Sequence, residues 1–189
     1  MNEYVMMMRR AKAQLADNWI SVAVGTLIYS VLMFICGSTY ILELVLYGPL
    51  TFGYYLYVSC IMDTRQNNLS LLFKGFERFV ETFLAGLLIL LAVGFGLILL
   101  IVPGIIVSLG FSLTFFIMID NPNISGLDAM NESWNMMKGQ KWNLFCLFLR
   151  FFGWYLLCIL TCGIGYLFLA PYFVATTQNF YRKLRYGTF

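Results

Sequence analysis

Arg150 is the residue whose position most invites chemistry, because it is the only charge between Trp142 and Tyr181. Counted along a helix from Lys141, it stands about 13 Å into a bilayer core at about 1.5 Å per residue. A guanidinium at that depth costs at least about 2.5–3.5 kcal/mol, so it must face protein or water and find a partner. Glu43, near the outer end of the second apolar run, and Glu81, near the inner end of the third, are the candidate partners. Together they would make an intramembrane polar site for a ligand or a transported solute. The plainer alternatives are a buried structural ion pair or an arginine reaching back to the cytoplasmic interface.

Helix-breaking positions are the second source of chemistry. Pro49 and Pro171 lie inside apolar runs, where a proline removes an amide donor and frees a carbonyl, as in the broken helices of transporters. Ordinary kinks are the commoner outcome. Gly86, Ala92, Gly94 and Gly96 read as a surface for close helix packing. The chain has no histidine, which removes the commonest general base and metal ligand. No zinc-protease, phosphate-loop or paired intramembrane aspartate pattern is present, so no enzyme activity, catalytic residue, metal or cofactor is expected. Cys36, Cys60, Cys146, Cys158 and Cys162 fall in or beside apolar runs and read as structural thiols. Cys158 and Cys162 share a helical face but lack the histidines of a usual zinc set.

The elements that must position these residues follow from the solvent the chain requires. Its 189 residues are 61% hydrophobic and 11% charged, against about 45–50% and about 25% in soluble domains. Lipid can cover such a surface and water cannot. The fold class expected is therefore all-α, a polytopic membrane bundle of about six transmembrane helices arranged as three hairpins, 19–62, 82–119 and 142–181. The hairpins turn at Gly37-Ser38-Thr39, at Pro103-Gly104, and at Cys162-Gly163. Residues 1–17 do not have the pattern of a cleaved signal peptide, and 182–189 read as a tail.

Arg9, Arg10, Lys12, Arg65, Lys74, Arg78, Lys138, Lys141, Arg182, Lys183 and Arg185 all fall on one side of that arrangement. The rule that cytoplasmic loops are basic places both termini in the cytoplasm of a cell-membrane protein. Tyr4, Met8, Ala11 and Leu15 recur at helical spacing, as do Leu72, Phe76, Phe79 and Phe83, and Leu127, Met130, Trp134 and Met137. These predict amphipathic interfacial helices over 1–17, 71–81 and 125–138. Ser125 and Asp128 stand at capping-box spacing, and Gly139 suits a helix C-terminus. A threefold repeat is hinted at by Asn18-Trp19 beside Lys141-Trp142-Asn143, and by Gly48-Pro49-Leu50 beside Ala170-Pro171-Tyr172.

Pro103-Gly104-Ile105-Ile106, Asp120-Asn121-Pro122, Ile124-Ser125, Ala129, Ser133, Met137-Lys138-Gly139, Phe152-Gly153-Trp154, Pro171-Tyr172 and Phe180-Tyr181 follow one another along nearly the whole chain. In that order they resemble an uncharacterised bacterial family of integral membrane proteins, domain of unknown function 975. That family is distantly similar to the membrane portion of glycerophosphodiester phosphodiesterases. The resemblance implies a multi-helix plasma-membrane fold and a connection with lipids or amphiphiles. Arg150 departs from it, standing where the family tends to a small polar residue.

The function expected is thus a non-enzymatic membrane protein that handles lipids or amphiphilic peptides in an accessory or immunity-like role. Membrane lipids, and an amphiphilic peptide or another membrane protein, are the expected partners. Nothing supports nucleic-acid binding. A small transporter, or a transporter subunit built on Arg150, is the alternative, and a scaffold of a membrane complex is a third.

Overall fold

A computed structural model describes residues 3–16, 18–37, 40–64, 68–99, 101–160 and 165–187. Among these the chain is helical throughout. Its helices are α1 (Glu3–Leu15), α2 (Trp19–Gly37), α3 (Tyr40–Thr64), α4 (Phe79–Leu99), α5 (Ile101–Phe111), α6 (Thr114–Asp120), α7 (Gly126–Met136), α8 (Lys141–Leu160) and α9 (Tyr166–Tyr186). A 3₁₀ helix, η1 (Leu69–Phe76), sits between α3 and α4.

The surface carries large apolar side chains, and the mainly apolar interior also holds polar ones. Ile20, Phe34 and Ile98 are more than 80% exposed, while Thr26, Thr114, Thr176, Thr177, Gln178 and Asn179 are buried. Water would reverse that pattern; acyl chains do not. Three stretches are long and apolar enough to cross a membrane: Leu42–Thr64, Phe79–Ile98 and Val102–Asp120. A fourth is added if α1 and α2, bent by about 95° between Leu15 and Trp19, are taken as one broken span.

The six expected crossings are therefore corrected to three or four among the described residues. The shortfall includes the third hairpin, 142–181. α9 turns polar halfway, through Thr176-Thr177-Gln178-Asn179, and continues through Arg182 and Arg185 to Tyr186. The predicted tail from 182 is thus helix as far as Tyr186, closed by Gly187 at φ +67°. The expected turn at Cys162-Gly163 lies outside the described residues, as do Ser38 and Thr39 of the first.

Pro103 does not turn the second hairpin. α4 ends at Leu99 and α5 starts at Ile101, so Pro103 occupies the first turn of α5, where its missing N–H is an orphan in any case. Gly96 and Gly104 face each other there and let the two helices meet. Pro49 and Pro171 lie within unbroken helices and are buried. η1 and the start of α4 run antiparallel along α3: Leu72 lies on Gly53, Gly75 on Pro49, and Thr82 and Gly86 on Gly48. The Pro49 backbone is thus a packing surface.

The predicted interfacial segments pack on the bundle. α1 buries Met7, Ala11 and Leu15 against α9 and α3. The element predicted over 71–81 is instead η1, with Leu71, Leu72 and Gly75 inward, while Phe76 and Phe79 remain exposed. For 125–138 the helical spacing holds, but Leu127 is exposed and Ser133 is buried. Its start follows the predicted cap, with Ser125 Oγ accepting the Asp128 amide at 3.2 Å, and Gly139 adopts φ +77°.

Candidate functional site

The ends of α3, α6 and α9 meet α7 and the start of α4 in a layer of charge. Asp120 Oδ2, at the end of α6, accepts the Tyr181 hydroxyl at 2.8 Å and the Tyr186 hydroxyl at 2.9 Å. Arg185 Nε lies 3.9 Å from the same oxygen, and its Nη1 donates to Glu132 Oε1 at 2.8 Å. Arg182 pairs with Asp63 at 2.6 Å. Arg78 donates to the carbonyl oxygens of Met118 and Ile124, which ties α4 to both ends of the 118–124 turn.

Glu81 belongs to this layer. Its Oε2 accepts the Gly126 amide at 2.7 Å, which places a carboxylate on the N-terminal dipole of α7. Glu43 is in the first turn of α3, and Arg150 is exposed on α8, a helix whose main neighbours are α5 and α9. Sequence reasoning grouped Arg150 with the two glutamates by depth alone. It did not pair Asp120 with Tyr181, which it marked only as separate motifs, and it passed over Asp63 and Glu132, although with twelve basic and nine acidic residues any carboxylate at the basic end of a helix was a pairing candidate.

Burial and the hydrogen bond to the Asp120 carboxylate push the Tyr181 phenol well above its ordinary value. The folded chain therefore favours the neutral phenol. Its stabilising effect is complete below the usual tyrosine range near 10 and declines above it, as the unfolded chain ionises first. Melting temperature against pH is expected to fall above about pH 10, and Tyr181→Phe is expected to make that fall shallower.

The polar interior of the upper bundle is built from hydroxyls. Tyr29 and Tyr54 stack at 4.6 Å, and their hydroxyls pair with Thr51 at 3.3 Å and Thr26 at 3.1 Å. A cavity of about 260 Å³ among α3, α4, α5, α8 and α9 is lined by Tyr47, Thr51, Tyr55, Ser108 and Ser112 among aromatic rings.

Two clefts flank α8. The larger, about 410 Å³, is lined by Lys12, Trp19, Trp154, Cys158, Phe168 and Tyr172, with Gly165 and Leu169. Trp19 tilts against Phe168 and Tyr172 at 6.2 and 6.4 Å. Its wall is mostly apolar, and Lys12 is exposed at its edge. The second, about 280 Å³, lies between α5 and α8.

Among the described residues the chain is an all-helical bundle with apolar side chains on its outer surface, and three of its helices are long and apolar enough to cross a membrane. The chain belongs to the family described as Protein of unknown function (DUF975), whose model matches residues 89–187. All the motifs quoted from Pro103 to Tyr181 fall inside that match; the likeness expected along nearly the whole chain is shown for that stretch. No curated protein and no solved structure matches.

Proposed function

We propose that this is a non-enzymatic protein of the cell membrane that holds the chain of a lipid or amphiphile in the cleft between α1, α2, α8 and α9. The observation that carries the reading is the cleft itself. Its volume falls in the range of ligand pockets, its rings come from three helices, α2, α8 and α9, and a lysine of α1 sits at one edge for an anionic head. The apolar outer surface of α2, with Ile20, Val24, Leu27 and Val31 exposed, gives a ligand access from the bilayer. The arginines of the charged layer, Arg78, Arg182 and Arg185, favour the cytoplasmic side for that end of the bundle.

The test uses the full chain in detergent with Trp134→Phe and Trp142→Phe, which leaves Trp19 and Trp154 as reporters. Titration with a phospholipid brominated in its acyl chains is expected to quench fluorescence and to saturate near one lipid per chain. Leu169→Phe, which fills the cleft, is expected to weaken that binding about tenfold, or about 1.4 kcal/mol. Quenching that rises in proportion to lipid without saturating, equally in the filled variant, would remove the proposal.

A further inference from the structure

The second cleft presents a different combination of groups. Val102, Ile105, Ile106, Leu109 and Phe145 form an aliphatic trough between α5 and α8, with Lys141 and Trp142 also lining it. Val102, Ile105 and Ile106 are exposed and continue the outer face of the Val102–Asp120 span, so the trough opens to the acyl phase. Trp142 is 71% exposed, in the manner of an interfacial ring.

The charge beside the trough is uncompensated. Neither Lys138 nor Lys141 makes an ion pair among the described residues, and the carboxylates of α7 are engaged elsewhere: Asp128 accepts from Ser125, and Glu132 accepts from Arg185. The Lys141 ammonium rests 3.3 Å from the centre of the Trp134 ring, which fixes its position without neutralising it. Burial and the neighbouring charge of Lys138 lower the Lys141 ammonium from its ordinary value, so an anion there would be welcome to both lysines.

We infer that the α5–α8 trough is a site for an anionic phospholipid, with one acyl chain along Ile105, Ile106 and Phe145 and the headgroup phosphate at Lys138 and Lys141. The inference rests on the protein facing lipid, as proposed above, and not on the Trp19 cleft. Each cleft sets a lysine and a tryptophan on one wall, Lys12 with Trp19 in the first and Lys141 with Trp142 in this one.

Trp142 is the reporter for this site. The full chain carrying Trp19→Phe, Trp134→Phe and Trp154→Phe is titrated in detergent with brominated phosphatidylglycerol or with brominated phosphatidylcholine of the same chains. Saturable quenching by phosphatidylglycerol at concentrations about tenfold lower than by phosphatidylcholine is expected. Lys138→Gln with Lys141→Gln should abolish the preference. Ile106→Phe, which narrows the trough and leaves the charge, should weaken both lipids. Inorganic phosphate at millimolar concentration should not displace the lipid. Equal quenching by the two lipids, a preference that survives the double lysine variant in monodisperse protein, or displacement by inorganic phosphate would each overturn the assignment. A negative result with Trp19 and Trp154 beside a positive one with Trp142 would retire the first cleft and keep this one.

Discussion

Gly48→Ala is expected to lower the melting temperature of the detergent-solubilised protein by about 4–8 °C, and Gly53→Ala by a similar amount. A Cβ on Gly48 would meet the Thr82 carbonyl, and one on Gly53 the Leu72 carbonyl. Rotating a side chain relieves neither clash, because the opposing atoms are backbone. Overpacking costs about 1–3 kcal/mol, and with backbone opposing backbone the cost is at the upper end, leaving about 2 kcal/mol after the gain of about 1 kcal/mol that alanine brings over glycine inside a helix. At about 2–4 °C per kcal/mol for a chain of this size, the shift is readily measured by size-exclusion chromatography after heating. Gly94 and Gly153 provide the control, since a Cβ there meets nothing within 4 Å. Gly94→Ala and Gly153→Ala should melt at or slightly above the parent temperature. If Gly48→Ala behaves as they do, α3 and α4 do not touch at Gly48.

The contrast between these glycines also shows where the sequence was readable. Gly86 was identifiable as a packing residue from its neighbours in an apolar run, whereas Gly94 stands in the same run and faces open space. Periodicity marks a face without saying what covers it. Helix starts at Trp19 and Tyr40 were legible because long apolar runs begin there, and the Ser125 cap because its chemistry is local. η1 was not legible. Its spacing promised a surface helix, but Gly75 and Gly53 lack side chains, so the segment could sink onto the backbone of α3. The number of crossings failed for a related reason. Run length alone cannot distinguish an apolar helix in lipid from α9, whose Gln178 and Asn179 are buried among other helices; Asn179 donates to Gln14 Oε1 at 3.1 Å and to the Met7 carbonyl at 3.4 Å. The Asp120 to Tyr181 contact spans 61 positions, a separation that no local pattern reports.

Asp120→Ala is expected to destabilise the protein by about 2–3 kcal/mol, because removing one acceptor leaves two tyrosyl hydroxyls and part of the Arg185 charge to find new partners. Asp63→Ala is expected to cost less than about 1 kcal/mol, since both partners of that pair are substantially exposed. The comparison separates a network from an isolated surface bridge. Combining Asp120→Asn with Tyr181→Phe should show a coupling of about 1 kcal/mol in a double-mutant cycle, with Tyr181→Phe alone less harmful than Asp120→Ala. Additive effects would mean that the two side chains act independently. Coupling would locate the principal tie between α6 and α9 in two residues that the resemblance had marked separately, as Asp120-Asn121-Pro122 and Phe180-Tyr181. That tie bears on the clefts, because α5 and α6 lead directly into it from one side of α8 and α9 from the other. A bundle with its helix ends fastened at Asp120 can leave clefts at both ends of α8, which itself buries Leu144, Leu147 and Phe151, without losing the arrangement of the helices around it.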